Sequence, residues 1–235
     1  MVGWKQKGAR DARFPKLSLY EPARAKTMTD DTPALLRLTR PFRRVHIVPM
    51  ALHVLPGPFT RDAYHRLAEL GVLDEDDRVE LLDGQIVEMT PIGGAHAACV
   101  NRLNALLSRP MGSATCVSVQ NPVVLSERWE PLPDLAVLRR AGGFTGAWLP
   151  CAQDVLFVIE VADTSLERDR DVKIPRYAAA GIPEAWLVDL AADDITVYRG
   201  PGPDGYRNVI TVTRGDTLRP LLLTDVTIGA ADILG

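Results

Sequence analysis

The sequence lacks any apolar run near the roughly 20 residues that a membrane-spanning helix needs, which excludes a transmembrane protein. Cysteine is scarce, and Cys99, Cys116 and Cys151 form no CxxC pair, so neither a disulfide scaffold nor a structural zinc site is indicated. Several enzyme motifs are also missing: there is no GxSxG elbow, P-loop or HExxH zinc motif. We therefore expect a reduced, cytoplasmic enzyme or binding protein.

An excess of positive charge is lacking too. Lys and Arg total 27 against 30 Asp and Glu, so the formal net charge of the 235 residues is -3, which argues against a protein that coats nucleic acid. The charge is uneven, because residues 1–27 carry +5 and the remainder carries -8. Two interpretations of the basic segment stay open: a disordered tail without a dedicated role, or an arm that helps to hold a polyanion.

The hydropathy pattern predicts a proline-containing N-terminal extension over residues 1–50 and a packed domain over residues 51–235. Thr60 can cap a helix that runs through Leu70 and closes on Gly71. Asp83-Gly84 between two β-like runs predicts a tight hairpin, since both central residues of such a turn need positive φ. Helices are further expected over 95–109 and 166–180, with Pro175 distorting the second.

Five more apolar runs predict strands, and Gly200–Gly205 is expected to be a loop. The expected strands cover residues 117–125, 134–138, 155–161, 185–190 and 195–199. This order of elements predicts one α/β domain, or an α+β domain, in which a central mixed β-sheet is flanked by helices.

Two carboxylates stand at the ends of central strands. Pro133 can open a strand, which puts Asp134 at its edge, and Glu160 follows four apolar residues of another strand. A buried strand does not tolerate an ionised carboxylate unless a metal, a cation or several donors compensate it. If the two strands are neighbours, both carboxylates converge on a hard-oxygen site suited to Mg²⁺ or Mn²⁺.

Asp134 and two further candidate residues, Glu80 and Lys173, also have structural interpretations. Asp134 alone is typical of a turn or strand end. Glu80 could add a third acidic group, but alone it is typical of a solvated hairpin face. Lys173 alone would be a surface lysine paired with Asp169, which lies on the same helical face as Lys173 and Tyr177.

Several blocks of the sequence resemble the Uma2 family of restriction-endonuclease-like proteins. The most specific is VIEVADTSLERDRDVKIPRYAAAGIPEAWLVDL at residues 158–190. RVELLDGQIVEM, the Pro-Asp of LPDLAVL and the terminal LRPLLLTDVTIGAADIL resemble other family blocks in the same order. The resemblance covers roughly residues 59–235. It implies the restriction-endonuclease-like fold and a variant of the PD-(D/E)xK nuclease motif.

The resemblance implies roles for particular residues. Asp134 and Glu160 become metal-ligating carboxylates, and Glu80 becomes the additional acidic ligand. The usual motif places a lysine two positions after Glu160, where this chain has Ala162, so the matching lysine is Lys173 on the following helix.

Two further polar residues keep two interpretations each. Gln120 could align water or a ligand, or could be a structural amide on a central strand. His96, at the start of a predicted helix, could touch phosphate, or could be a surface histidine at a helix end.

The implied reaction is hydrolysis of a phosphodiester bond in nucleic acid, DNA more than RNA, with Mg²⁺ or Mn²⁺ as cofactor. Lys173 would orient the attacking water or neutralise charge on the phosphorus. A homodimer and a cytoplasmic location are weaker expectations. One alternative is a catalytically inactive nuclease-fold protein that acts in nucleic-acid binding or regulation; another is a different hydrolase or a protein-interaction module.

Overall fold

The computed structural model describes residues 54–55, 57–74, 76–110, 114–139 and 149–235. The helices are α1 Arg61–Glu69, α2 Gly94–Ser108, α3 Leu166–Arg168, α4 Ile174–Ala179 and α5 Ala230–Leu234, with a π-helical turn at Asp169–Lys173 and a 3-10 turn at Ala152–Asp154. The strands are β1 Val54–Leu55, β2 Val79–Leu82, β3 Gln85–Glu88, β4 Thr115–Val119, β5 Leu135–Arg139, β6 Val155–Ala162, β7 Glu184–Asp189, β8 Asp194–Gly202, β9 Gly205–Val212, β10 Thr217–Leu218 and β11 Ile228–Gly229. The predicted 1–50 extension lies outside the described residues, so the domain boundary stays a prediction.

The central sheet is mixed, as the order of elements predicts. Among the described residues it contains six strands in the order β4-β5-β6-β7-β8-β9, in which only β6 and β7 run parallel. The crossover from β6 to β7 carries α3, the π-helical turn and α4. A smaller sheet has the order β1-β3-β2, and β10 pairs with β11. The fold is therefore the expected α/β class with helices on a central mixed sheet.

The two faces of the sheet are covered by different helices. α2 and α5 pack on one face, where Phe157 and Trp186 contact each other with ring centroids 5.1 Å apart. α4 packs on the other face through Tyr177, which is fully buried. Since side chains alternate along β6, Phe157 faces the α2 layer whereas Glu160 faces the α4 layer.

The predicted local signals at the start of the domain are confirmed. The Thr60 side chain accepts a hydrogen bond from the Ala63 N–H at 3.3 Å and caps α1, which ends before Gly71 at φ 67°. β2 and β3 form the predicted hairpin, with φ of 51° at Asp83 and 75° at Gly84.

Two predicted segments differ from the structure. The strand expected over 117–125 ends at Val119, because Gln120 adopts φ 51° and turns the chain out of the sheet. Gly200–Gly205 is a hairpin rather than a longer loop, since β8 runs to Gly202 and β9 begins at Gly205. These six residues match GxGxxG, but a strand follows them instead of a helix, so they are no dinucleotide fingerprint.

The helix expected over 166–180 is divided. A π-helical turn at Asp169–Lys173 separates α3 from α4, and the Ile174 N–H donates to the Asp169 carbonyl five residues back. The predicted distortion at Pro175 is thus confirmed, because proline supplies no N–H for a regular helical ladder.

No helix in the described ranges is long and apolar enough to cross a membrane.

Candidate active site

The register of two central strands brings the two predicted carboxylates together. β5 and β6 are antiparallel neighbours, and Leu135 pairs with Ile159. One step outward, Asp134 and Glu160 therefore lie opposite each other at the same end of the sheet. Asp134 is 6% exposed and Glu160 2% exposed, and both line one cavity. The sequence predicted that the two carboxylates converge if their strands are neighbours, and the strands are neighbours.

Asp134 is held by donors from three elements. Its Oδ2 accepts from the Val161 N–H at 2.9 Å and lies 3.0 Å from His96 Nε2, while Oδ1 accepts from Gln120 Nε2 at 3.1 Å. Burial raises the pKa of Asp134, but the hydrogen bond and charge of His96 outweigh it, so the pKa is lowered. Asp134 is therefore an oriented, ionised carboxylate.

His96 and Gln120 contact Asp134 from different parts of the fold, the first turn of α2 and the residue after β4. His96 lies in the first turn of α2, and its hydrogen bond to Asp134 raises the imidazole pKa. Its Nδ1 is buried without a hydrogen-bond partner among the described residues. The left-handed backbone of Gln120 lets its main-chain N–H donate to the Asp134 carbonyl at 3.1 Å while its amide reaches the carboxylate. Both residues contact Asp134, so neither is a detached surface group.

Glu160 lies in a more strongly negative environment. Its Oε1 accepts a hydrogen bond from the Tyr177 hydroxyl at 2.6 Å and forms an ion pair with Lys173 Nζ at 2.8 Å. Burial, with the negative charges of Asp169 and Asp134, raises the pKa of Glu160 to about 8 against the opposing effect of Lys173. Tyr177 had no predicted role, although its position on the face of Lys173 was a signal for this contact.

Lys173 reaches the end of β6 from the following helix. This is the contact that a lysine on that helix needs in order to replace the one that the usual motif has two positions after Glu160. Besides Glu160, its ammonium lies 3.4 Å from Glu80 Oε2 and 3.4 Å from the Leu132 carbonyl, to which it donates. Burial lowers the pKa of Lys173, but the carboxylates of Glu160, Glu80 and Asp169 outweigh it and hold the pKa above its usual value. The ammonium is therefore charged at neutral pH.

The structural interpretations of Lys173 and Glu80 are wrong. Lys173 is 3% exposed and pairs with Glu160 and Glu80 rather than lying on the surface beside Asp169. Glu80 is 2% exposed, and its Oε2 also accepts from the Leu132 N–H at 3.1 Å. Asp169 is itself buried and accepts a hydrogen bond from Ser165 Oγ, and burial raises its pKa.

These side chains line a cavity of about 180 Å³ whose wall is rich in carboxyl groups. Sequence reasoning missed Arg78, Asp163 and Arg168 on this wall, because isolated charged residues in a loop or short helix carry no distinctive pattern. The charged lining comprises Glu80, Asp134, Glu160, Asp163 and Asp169 against Arg78, Arg168 and Lys173, with His96 beside them. The carboxyl groups outnumber the permanent cations, so a bound cation would offset the excess of acidic groups in this lining.

The donor set suits a hard divalent cation that is only partly enclosed by protein. Within the described ranges, no group of three or more His, Cys, Asp or Glu side chains is arranged to hold a metal ion by itself. Mg²⁺ needs less, because it commonly binds through one or two carboxylates and completes its shell with water and substrate phosphate. Asp134 and Glu160 fit that requirement, and a bound cation would offset the repulsion between their carboxylates.

The fold has a counterpart among solved structures. It is similar to the crystal structure of a protein from Anabaena variabilis described as a "putative nuclease belonging to DUF820", with a TM-score of 0.59 and 17% sequence identity. The similarity covers 75% of this chain and 98% of that one. At this identity the likeness establishes a shared fold and nothing further.

The family follows from the sequence match. The Uma2 family, described as "Putative restriction endonuclease", matches residues 61–231, and the chain belongs to it. The resemblance stated from the sequence blocks is thereby confirmed. No curated protein sequence matches this chain.

Proposed function

We propose that this protein is a metal-dependent endonuclease that hydrolyses phosphodiester bonds in nucleic acid, DNA more than RNA. One observation carries the proposal: a single cavity is lined by Asp134, which precedes β5, by Glu160 of β6 and by Lys173 of the π-helical turn. Membership of the Uma2 family supports the hydrolytic class. Together they give a site with carboxylates for a cation and an ammonium for the phosphate.

Asp134 and Glu160 are the residues that would hold Mg²⁺ or Mn²⁺. When bound, such an ion stabilises negative charge on the phosphate and lowers the pKa of coordinated water. Asp134 offers an ionised carboxylate in a fixed orientation, because Val161 and His96 hold its Oδ2. Glu160 Oε1 is held by Tyr177 and Lys173, which directs its other oxygen for binding. Glu80 as a third ligand stays a prediction.

Lys173 is proposed to stabilise charge rather than to remove a proton. Its pKa is held above the usual value by the surrounding carboxylates, so at neutral pH it cannot serve as a general base. A charged ammonium near the scissile phosphate instead opposes the negative charge that develops in the transition state. Glu80 and the Leu132 carbonyl keep the ammonium at this end of β6.

The inactive nuclease-fold alternative also has an observation in its favour. Lys173 lies against both Glu160 and Glu80 and compensates part of their charge without any metal. A protein that only binds nucleic acid could retain this arrangement for stability. The two functions differ in metal uptake: the endonuclease binds Mn²⁺ through Asp134 and Glu160, whereas the alternative has no need of it.

The decisive experiment measures cleavage of supercoiled plasmid and single-stranded DNA and RNA by the purified full-length protein. We expect cleavage with Mg²⁺ or Mn²⁺, none with EDTA, and none with Asp134→Asn or Glu160→Gln. Glu69→Gln is the control, because Glu69 is an exposed carboxylate on α1. Absence of cleavage by the wild-type protein across these metals and substrates would leave the binding alternative.

Two further expectations accompany the proposal. A homodimer stays a prediction, which light scattering of the purified protein tests directly. A cytoplasmic location stays a prediction as well.

A further inference from the structure

A second, larger cavity lies beside the candidate active site. Its volume is about 670 Å³, within the range of about 300–1,000 Å³ typical of pockets that enclose small organic groups. The hairpin of β2 and β3 forms one wall, and the π-helical turn with α4 forms another. The exposed side chain of Val172 adds apolar surface to this second wall.

A stacked pair of side chains lies in this cavity. The guanidinium carbon of Arg176 lies 4.8 Å from the ring centroid of Trp129. Trp129 is 6% exposed, whereas Arg176 is exposed and lines the cavity. The buried indole thus supports a planar cation that borders the open space. Planar guanidinium groups and aromatic rings are the surfaces on which unpaired bases stack in single-strand-binding proteins.

The polar lining carries charges of both signs. Asp83 and Asp171 border the cavity beside Arg168 and Arg176, so the positive charge that a phosphate would need is partly offset. Gln85, also on the wall, carries an amide that can both donate to and accept from a base edge. This arrangement differs from the smaller cavity, where Lys173 and the candidate metal ligands are suited to phosphate.

The two cavities share one side chain. Arg168 lines both, and its Nη1 donates to the Glu88 carbonyl at 3.1 Å, which anchors the guanidinium at the border. A nucleic-acid strand whose phosphate enters the smaller cavity can therefore place an adjacent nucleotide in the larger one, with Arg168 beside the backbone between them.

We propose that the Arg176–Trp129 pair stacks an unpaired base next to the scissile phosphate, so that the substrate is single-stranded nucleic acid or a duplex with a displaced base. This inference rests on the proposed function, because it takes the smaller cavity as the phosphate site. A base held in a duplex is stacked between its neighbours and has to leave the helix to reach this surface.

The test is an abasic scan of binding, which does not depend on cleavage. Anisotropy of dye-labelled single-stranded DNA is measured with the full-length protein in Ca²⁺ and in EDTA, with one abasic nucleotide moved along the oligonucleotide. We expect one abasic position to weaken binding to the wild type about 5- to 100-fold. In Arg176→Ala the intact oligonucleotide should bind more weakly by a similar factor, and the abasic position should make no further difference.

Two variants separate stacking from charge. Arg176→Lys keeps the charge but loses the planar group, so it should behave like Arg176→Ala; full binding by Arg176→Lys would overturn the inference. Arg66→Ala, which removes an exposed arginine from α1, should bind like the wild type. Equal abasic effects in wild type and Arg176→Ala would also overturn it.

Cleavage is scored separately, which distinguishes the two proposals. A base-dependent loss of binding without any cleavage by the wild type contradicts the endonuclease and leaves the stacking site in place. Cleavage with no abasic effect contradicts the stacking site alone. Absence of oligonucleotide binding by the wild type contradicts both.

Discussion

Two buried glutamates on neighbouring strands differ in how the protein compensates their charge. Glu184, at the start of β7, is fully buried and is surrounded by donors. Its Oε1 accepts from Arg199 Nη2 and Trp186 Nε1, both at 2.8 Å, and its Oε2 accepts from the Leu221 N–H. This carboxylate joins β7, β8 and the C-terminal segment, and its hydrogen bonds satisfy its charge locally.

Glu160, near the end of β6, is equally buried but lies among other carboxyl groups. It has Lys173 and Tyr177 as partners, yet Asp134 and Asp169 add to the effect of burial and its pKa is raised to about 8. A cavity-lining carboxyl group whose pKa is strongly shifted is typical of functional sites. A buried carboxylate whose hydrogen bonds are all made and that joins strands is typical of structural cores. The comparison therefore predicts opposite consequences when each residue is changed.

The largest expected effect is on activity at Glu160. Glu160→Gln should lower cleavage at least about 10²-fold, because the neutral amide is a poor ligand for a hard cation and cannot ionise when the cation binds. Its folding stability should not fall, since Gln preserves the shape and has no charge that burial disfavours. Plasmid cleavage rates with urea unfolding check both parts. A variant that cleaves at the wild-type rate would contradict the comparison.

The second effect is on stability at Glu184. Glu184→Ala should lower the free energy of unfolding by about 3 kcal/mol, because it leaves Arg199 and the indole N–H of Trp186 without their acceptor. Urea unfolding at pH 7 measures this loss. Cleavage per folded molecule should stay within about twofold of wild type, because Glu184 lies outside the candidate cavity. Lost cleavage in fully folded protein would break the distinction.

A smaller effect is expected at His96, which positions Asp134. His96→Ala should weaken Mn²⁺ binding about 10- to 100-fold, a range typical of groups that orient a metal ligand. Isothermal titration calorimetry measures it. His65→Ala is the matched control, because His65 Nε2 contacts Glu130 Oε2 at the same 3.0 Å but outside the cavity. Equal affinities for both variants would show that the His96 contact has no role in metal binding.

The last expected effect is a pH dependence of stability without metal. The folded pKa of Glu160, about 8, lies above the 4.5 of an unperturbed glutamate, so the folded protein holds a proton that the unfolded chain has released. This contribution is fully present below about pH 4.5 and is lost as pH rises to about 8, with a slope of at most about 1.4 kcal/mol per pH unit.

Glu160→Gln should remove that slope, because the amide does not titrate. Urea unfolding in EDTA at several pH values between 5 and 8 compares the two proteins. Added Mn²⁺ should stabilise the wild type more at pH 8 than at pH 6, since the ion competes with the proton on Glu160. A wild-type slope that persists in Glu160→Gln would assign the effect to another group.

Local signals were the most reliable part of the sequence. Asp83-Gly84 and Thr60 predicted a hairpin and a helix cap correctly, because their effects involve neighbouring residues only. The apolar stretch before Glu160 likewise predicted a buried strand with an anomalous carboxylate. Gln120 was not predicted correctly: its left-handed backbone ended the expected strand at Val119, and this conformation accompanies a contact with Asp134 that is distant in the sequence.

By itself, the sequence determined the class of fold, the family and the identity of the acidic and basic residues that are candidates for chemistry. Alternation, capping and turn chemistry act over a few residues, so their information is written locally. The tertiary structure decided that Lys173 lies against Glu160 and Glu80 rather than in solvent, and that His96 and Gln120 hold Asp134. Those contacts depend on strand register and on a π-helical turn, and burial gives them their electrostatic strength because little water remains to screen the charges.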